Sequence, residues 1–410
     1  MHIVFATVEF LSEGIESCGG LAQYIAKAAH IYARKGNRVT VIVLSKRGNT
    51  FEYEKNVRVV RIPQNTVERD LILSKLGNKE LKGVAASVWN SYLVNKRIAQ
   101  IDKEEKVDVV QYTHLGALAL FRNRKIPAIV RMSSFSPVGL EARKADFNSA
   151  NIGSVPILPA QKIDFAAMRR ADAVFAPCRL TAMLAERVLK KTVSVKESPA
   201  MPVQNMQNTT LPKELPGKKY YLYFGALSNH KNARLLIDAV WKMVKNNPEF
   251  YFVIAGKDLG ISDGKGRLSP AIPQIMAAAG EYAKRVIYLG DLGDRTILGT
   301  LIENAEFCLL PYRFENLPNT CIEAMEHGKI VVSTYRSGVS QLIKDGYNGF
   351  LIGQNNPEEL VSAVGRVLAM EESERQRFRT NTLKRVSQMS SENFYKYMMD
   401  YYRAVIGRKR

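Results

Sequence analysis

Short β-branched runs alternate with helix-length amphipathic segments along almost the whole chain, and they do so in two successive series. In the first series, residues 2–7, 38–44, 57–62, 107–111, 126–131, 173–176 and 192–195 read as strands, with helices over 20–35, 84–104, 161–170 and 179–189. In the second, strands at 220–225, 250–255, 286–289, 306–310 and 329–333 alternate with helices at 231–246, 270–284, 295–304, 317–327 and 357–369. The run Lys329-Ile-Val-Val-Ser-Thr334, with its β-branched centre Ile330-Val-Val332, reads as a buried strand. Consecutive strands joined through helices pair in parallel, so the pattern implies α/β sheets covered by helices on both faces. Between the two series, residues 198–217 hold Pro199, Pro202, Pro212 and Pro216 among polar residues and read as an interdomain linker. The long polar stretches 64–83 and 133–160 read as loops, either functional or ordinary mobile surface. The aromatic-rich tail helix 392–406 reads as core-packing rather than as a binding face.

A length of 410 residues suits two or three domains, each able to bury its own core. No run of 18 apolar residues occurs, which argues against a transmembrane helix. The chain opens directly on Met1-His-Ile-Val-Phe-Ala, a strand rather than a signal peptide. Cys18, Cys178, Cys308 and Cys321 have no metal-ligand spacing, and Cys308 and Cys321 lie in apolar runs, which points to a reducing, cytoplasmic compartment. The net charge of +20 is uneven: residues 1–200 carry 31 Lys/Arg against 18 Asp/Glu, and residues 201–410 carry 28 against 21. Such an excess suits a solvated surface, an anionic membrane or lipid-phosphate acceptor, or nucleic acid. No nucleic-acid motif or basic–aromatic repeat accompanies it, so nucleic acid is not expected as a partner.

The stretch Glu315-Asn-Leu-Pro-Asn-Thr-Cys-Ile-Glu323-Ala-Met-Glu-His-Gly328 carries the chemistry. Pro318 and Asn319 suit a first helical turn and Gly328 a C-terminal cap. Glu315 then lies just outside a helix N-terminus and Glu323 inside the helix. The backbone N–H groups of Asn316, Leu317, Asn319 and Thr320 fall where intrahelical partners are lacking, and such an end attracts phosphate. A carboxylate on each side of a phosphate cradle suits a ligand with hydroxyls at both ends, the character of a nucleotide sugar. The plainer alternative is a pair of helix-capping glutamates.

These residues resemble the E-x7-E motif of the GT4-type retaining glycosyltransferases, which have the GT-B fold. Other blocks are similar to that family in the same order: Ile3-Val-Phe-Ala-Thr7, Gly19-Gly20-Leu-Ala-Gln-Tyr-Ile-Ala, Gly36-Asn-Arg-Val-Thr-Val-Ile-Val43, Tyr220-Tyr-Leu-Tyr-Phe-Gly225 through Lys231, Val286-Ile-Tyr-Leu-Gly290, Ala305-Glu-Phe-Cys-Leu-Leu-Pro311 and Gly346-Tyr-Asn-Gly-Phe-Leu351. The resemblance implies an α/β, GT-B-like protein of two Rossmann-type parallel-sheet domains facing a cleft. Residues 1–200, rejoined by the terminal helix at about 390–410, would form the acceptor side, and 201–389 the donor domain.

It also implies roles. Glu323 would accept from the ribose hydroxyls, and Glu315 would touch the donor sugar at the reacting face. Lys231 and the backbone from Asn316 through Leu317, Pro318, Asn319 and Thr320 would hold the diphosphate. Leu292 would lie near the base. Gly19 and Gly20 would let the first loop approach the diphosphate; alternatively they make a plain tight turn. Two departures stand out. Ala226 occupies a position where the family carries an arginine, leaving Arg234, Arg313 or His230 as substitutes. Ser133 stands where many members carry a histidine, with His114 as a partial stand-in or a structural residue. No Asp-x-Asp occurs, so no metal or other cofactor is expected, and the NDP-sugar is a substrate. The implied reaction moves a sugar from a UDP- or GDP-sugar to a hydroxyl of a glycan or lipid-linked acceptor, with retention, in cell-surface polysaccharide or lipopolysaccharide assembly. It would occur in the cytoplasm, with peripheral contact to the membrane. An NDP-sugar epimerase of the same fold and a non-catalytic sugar-nucleotide or glycan-binding partner are the rivals.

Overall fold

The computed structural model describes every residue except 11–18, 47, 145, 148, 202–209, 264–266, 336 and 410. The chain forms two units: residues 1–137, 156–199 and 391–410 make the first, and 138–155 with 200–390 the second.

The strands of the first unit are β1 (His2–Thr7), β2 (Arg38–Ser45), β3 (Asn49–Glu54), β4 (Val57–Pro63), β5 (Val109–Thr113), β6 (Ala128–Arg131), β7 (Ala173–Ala176) and β8 (Ser194–Val195). They form one sheet in the order β3-β4-β2-β1-β5-β6-β7-β8, parallel throughout except for the β3–β4 edge pair. Its helices are α1 (Gly20–Arg34), α2 (Val67–Ser74) and α3 (Lys79–Glu104), then α4 (Ser136–Glu141), which runs on into the second unit, α5 (Pro159–Arg170) and α6 (Arg179–Leu189). Every residue of β1 is buried, as a central strand covered on both faces must be.

The second unit holds β9 (Lys219–Phe224), β10 (Phe250–Ala255), the short hairpin β11 (Ile261–Ser262) and β12 (Leu268–Ser269), β13 (Val286–Tyr288), β14 (Cys308–Leu310), β15 (Val331–Thr334) and β16 (Gly349–Ile352). Six of these form a parallel sheet in the order β13-β10-β9-β14-β15-β16. Its helices are α7 (Ala233–Asn246), α8 (Ala271–Ala279), α9 (Arg295–Asn304), α10 (Asn319–Glu326), α11 (Pro357–Leu368) and α12 (Glu372–Ser387). Tyr221 of β9 stacks between Phe252 and Phe307, with ring centroids 5.1 and 5.3 Å away, and fixes the middle of this core.

The last helix, α13 (Ser391–Gly407), belongs to the first unit. Its buried stripe of Phe394, Met398, Tyr402 and Val405 follows helical spacing. Phe394 and Tyr402 meet Tyr32 of α1, and the Tyr402 hydroxyl donates to Gln111 Oε1 at 2.5 Å.

In both sheets the strand order reverses once. The reversal falls at β1, between β2 and β5, and at β9, between β10 and β14. Loops leaving the carboxyl ends of strands on each side of such a switch point diverge and leave room for a ligand. The β9–α7 and β14–α10 loops contain Lys231 and Glu315. The loops after β5 and β6 contain His114 and Ser133.

Several boundaries shift from the sequence expectation for local reasons. The stretch read as a loop at 64–83 contains α2, whose N-cap Thr66 accepts from Arg69 N. The stretch 133–160 contains α4. Asn232 adopts a left-handed backbone (φ 60°), so α7 starts at Ala233 and Lys231 lies in the preceding loop, not in the helix. Pro318 is extended (φ −71°, ψ 124°) and stands at the N-cap of α10 rather than in its first turn.

Candidate functional site

The second-unit site grows from two loops at the β9/β14 switch. After β9 the chain turns through Gly225 and Ala226, and the Tyr223 hydroxyl donates to Ala226 O at 2.9 Å. A Cβ at Gly256 would lie 2.1 Å from Gly225 O, so the neighbouring strand end needs glycine to let this loop pass. After β14 the chain runs Pro311-Tyr-Arg-Phe-Glu315 and then enters α10. Gly338 N donates to Glu315 O at 2.7 Å, and a Cβ on Gly338 would sit 1.2 Å from Asn316 O. That close backbone contact fixes where Glu315 leaves the loop.

Between the loops Lys231 Nζ donates to Glu315 Oε1, and His230 Nε2 lies 3.3 Å from the same oxygen. Burial alone would push the Glu315 carboxyl up, but Lys231 and His230 outweigh it and hold the group well below the usual carboxylate range. Glu315 is therefore an acceptor at any physiological pH and not a general acid. Lys231 Nζ also lies 4.8 Å from the centre of the Tyr312 ring. Tyr312 and Thr320 share a hydrogen bond of 2.5 Å, which ties the β14 loop to the first turn of α10. No side chain caps the α10 N-terminus at Pro318, and its first turn holds no acidic residue. Asn316 and Leu317 are buried against the fold, while Thr320 is half-buried.

Glu323 lies in the second turn of α10 with only a tenth of its side chain exposed, and its Oε1 accepts from the Arg295 guanidinium at 2.5 Å. Leu292 is half-buried in the loop between β13 and α9. Of the cations weighed as substitutes at Ala226, only His230 reaches Glu315. Arg234 pairs with Asp238 at 3.2 Å on the surface. Arg313 is buried and donates to Lys144 O at 2.7 Å, next to a bond from Asn229 Nδ2 to Arg143 O at 2.9 Å. These two side chains fasten the 138–155 segment to the β14–α10 and β9–α7 loops.

In the first unit the structure brings His114 and Ser133 together. Ser133 N donates to His114 Nδ1 at 3.1 Å, so the ring carries its proton on Nε2, within 3.3 Å of Ser134 Oγ and 3.4 Å of Ser136 Oγ. Burial, reinforced by the Arg131 charge, lowers the His114 pKa to about 3. His114 is thus a neutral donor near neutral pH. Ser133 Oγ accepts from Arg131 at 2.6 Å, and the buried Arg131 guanidinium stacks 3.6 Å from the centre of the Tyr24 ring. Gly19 is the N-cap of α1, and Gly20 its first residue. The Glu9 carboxylate reaches this helix start and accepts from Ala22 N at 3.2 Å. Sequence reading singled out neither Glu9 nor Arg295, because neither lies in a motif. Cys18 lies outside the described residues. Cys178, Cys308 and Cys321 are buried thiols.

No group of three His, Cys, Asp or Glu side chains able to hold a metal occurs among the described residues, and no described helix is long and apolar enough to cross a membrane. Residues 208–385 match the family model described as glycosyl transferases group 1. The alpha-D-kanosaminyltransferase of Streptomyces kanamyceticus is 29% identical over 154 residues, 38% of this chain and 37% of that protein. Granule-bound starch synthase 1 of Ipomoea batatas is 25% identical over 158 residues, 36% of this chain and 24% of that protein. The matched stretches thus span well under half of either relative. Among solved structures, sucrose-phosphate synthase from Thermosynechococcus elongatus superimposes with a TM-score of 0.73 at 17% identity, covering 99% of both chains. The E. coli trehalose-6-phosphate structure bound with UDP-2-fluoro glucose does so with a TM-score of 0.71 at 13% identity, covering 98% of this chain and 99% of that one. The chain has an α/β, GT-B-like fold, and its residues 208–385 match the group 1 glycosyl transferases.

Proposed function

We propose that the protein is a retaining, metal-independent glycosyltransferase of the GT4 type, which moves a sugar from a UDP- or GDP-sugar to a hydroxyl of a glycan or lipid-linked acceptor. The observation that carries this reading is the cluster of Lys231, His230 and Glu315 close to the start of the helix that bears Glu323. Lys231 and the α10 N-terminus suit a diphosphate, and Glu323 suits the ribose hydroxyls. Glu315, permanently ionised, accepts from hydroxyls of the donor sugar. In the step this supports, the acceptor hydroxyl bonds to the anomeric carbon on the face the leaving group departs from. The bond to the phosphate oxygen breaks with its electron pair, and that oxygen takes the acceptor proton. Lys231 and the helix start stabilise the charge that grows there, so positioning and electrostatics carry the rate.

The matched relatives support sugar transfer as the reaction class. Cell-surface polysaccharide or lipopolysaccharide assembly is the setting we infer, in the cytoplasm at the membrane face. Supporting it, α2 buries none of its residues and exposes Val67, Leu71 and Ile72, while Leu81 is exposed on α3 close to Lys79 and Lys82. Such an exposed apolar face suits a bilayer boundary.

The test is a thermal-shift screen with UDP, GDP, ADP, CMP and their common sugars on wild type and Glu323→Ala. A melting temperature raised by one nucleotide class, and not raised in Glu323→Ala, is the expected result. No rise with any nucleotide refutes the donor site. Binding without transfer to any acceptor moves the assignment to the non-catalytic partner, and turnover without acceptor to the epimerase.

A further inference from the structure

The Arg295–Glu323 pair joins the first residue of α9 to the second turn of α10. The two partners sit in different environments. The Glu323 side chain is a tenth exposed, whereas that of Arg295 is more than half exposed. The carboxylate end of the pair is therefore buried, and the guanidinium end is open to solvent and to a bound ligand.

The guanidinium approaches Glu323 through a single nitrogen and a single oxygen, Oε1. A carboxylate has about four lone-pair directions, so Oε2 keeps its accepting capacity. A guanidinium has five N–H donors in a fixed fork, and one nitrogen of Arg295 engages Glu323, which leaves further donors beside it. A donor fork and an acceptor thus stand side by side, 2.5 Å apart, on the helices that follow β13 and β14. A hydroxyl group is satisfied by that combination, because it donates its proton to the carboxylate and accepts on its oxygen from the guanidinium. A vicinal diol does so twice.

We propose that Arg295 is a specificity-determining residue, which with Glu323 forms a diol-reading pair and makes the site select ribonucleotides over 2′-deoxyribonucleotides. This rests on the reading that the donor nucleotide binds at Glu323. Removing the 2′-hydroxyl from the ligand leaves a buried acceptor and a donor unmatched, and such a loss rejects an analogue far more sharply than a lost apolar contact does.

Isothermal titration of whichever diphosphate nucleotide binds, against its 2′-deoxy counterpart, tests the proposal on wild type, Arg295→Ala and Arg295→Lys. Wild type is expected to bind the ribonucleotide at least about tenfold more tightly than the deoxynucleotide. Arg295→Ala should bring the ratio to roughly threefold or less by weakening the ribonucleotide alone, and Arg295→Lys should restore part of it. Equal weakening of both ligands in Arg295→Ala would assign Arg295 only to holding Glu323 in place and overturn the proposal. An unchanged ratio overturns it as well, while leaving the donor site intact. Wild type that binds no nucleotide overturns the donor reading and this inference together.

Discussion

Replacing Lys231 by methionine removes the cation beside a buried carboxylate and leaves the carboxylate in place. In the folded chain about a fifth of each partner's side chain is exposed. Two unit charges about 3 Å apart at an effective dielectric constant near 20 attract by roughly 5 kcal/mol before desolvation is subtracted. Fully exposed pairs retain about 0–1 kcal/mol and fully buried ones cost about 3–5 kcal/mol when one partner is removed. The burial here places Lys231→Met between them, at about 2–3 kcal/mol. For a unit of about two hundred residues that lowers Tm by roughly 5–10 °C.

The pH dependence has a definite sign. In wild type the Glu315 pKa is depressed, so its stabilisation is present above the ordinary carboxylate range and is lost as pH falls below it. Without Lys231, burial becomes the dominant influence and the pKa rises. The residual penalty is then largest at pH 7–8 and shrinks toward pH 4–5, where the carboxyl is neutral. Calorimetric melting of wild type, Lys231→Met, Glu315→Gln and the double variant at pH 5 and pH 8 checks this. The double variant should be more stable than the sum of the single losses implies by at least about 1.5 kcal/mol at pH 8. Losses that add within about 0.5 kcal/mol, or a Lys231→Met penalty that is the same at both pH values, would refute the reasoning.

Other outcomes follow from the same geometry. Gly338→Ala drives a methyl group into the Asn316 carbonyl, so it should abolish nucleotide-induced stabilisation in the thermal-shift assay even where the protein still folds. Asp164 on α5 accepts from Ala117 N, and burial pushes its pKa up to about 7. Its folded-state stabilisation is complete at acidic pH and lost as pH rises through 7, so Asp164→Asn should raise Tm more at pH 8 than at pH 5. His114, held neutral with its pKa near 3, makes the fold less stable as pH falls below about 6.5, and His114→Asn should flatten that slope in urea melts recorded from pH 7 to pH 4. Transfer activity should survive EDTA, and absolute metal dependence would remove the assignment of diphosphate charge to Lys231 and the α10 start.

The parallel architecture was legible because buried strands advertise themselves. The runs at β1, β7 and β10, and the helices α6 and α9, fall on the residues their apolar patterns mark. Elements that bury little left little trace. The edge strand β3, Asn-Thr-Phe-Glu-Tyr-Glu, buries none of its residues fully, and α12 buries just Phe378 and Thr382 among charged neighbours. The site divides in the same way. Glu315, Lys231 and Glu323 carry a local signal in their spacing to a helix start. What each one touches does not, because the pairs His230–Glu315 and Arg295–Glu323 join residues 85 and 28 positions apart, closed only when β9, β13 and β14 are aligned. His114 shows the same limit: its identity was visible, but its neutral state depends on burial and on Arg131, 17 residues later in the chain.

The pairings also bear on how the site discriminates. Each charged group expected to meet a donor already has a partner of opposite character within its own unit: Lys231 has Glu315, Glu323 has Arg295, and the start of α1 has Glu9. A ligand bearing only a phosphate competes with Glu315 for Lys231 and gains little, because one charge-assisted bond replaces another. A ligand that brings hydroxyls to Glu315 and Glu323 as well as phosphate to Lys231 satisfies both members of each pair. Recognition then depends on the joined sugar–diphosphate–ribose arrangement rather than on charge alone. Inorganic pyrophosphate should accordingly bind far more weakly than the full nucleotide sugar, and its binding should fall more steeply with salt. Comparable affinity for the two, measured by titration at low and high ionic strength, would mean that Lys231 acts as a bare phosphate site and that its pairing with Glu315 has no part in selection.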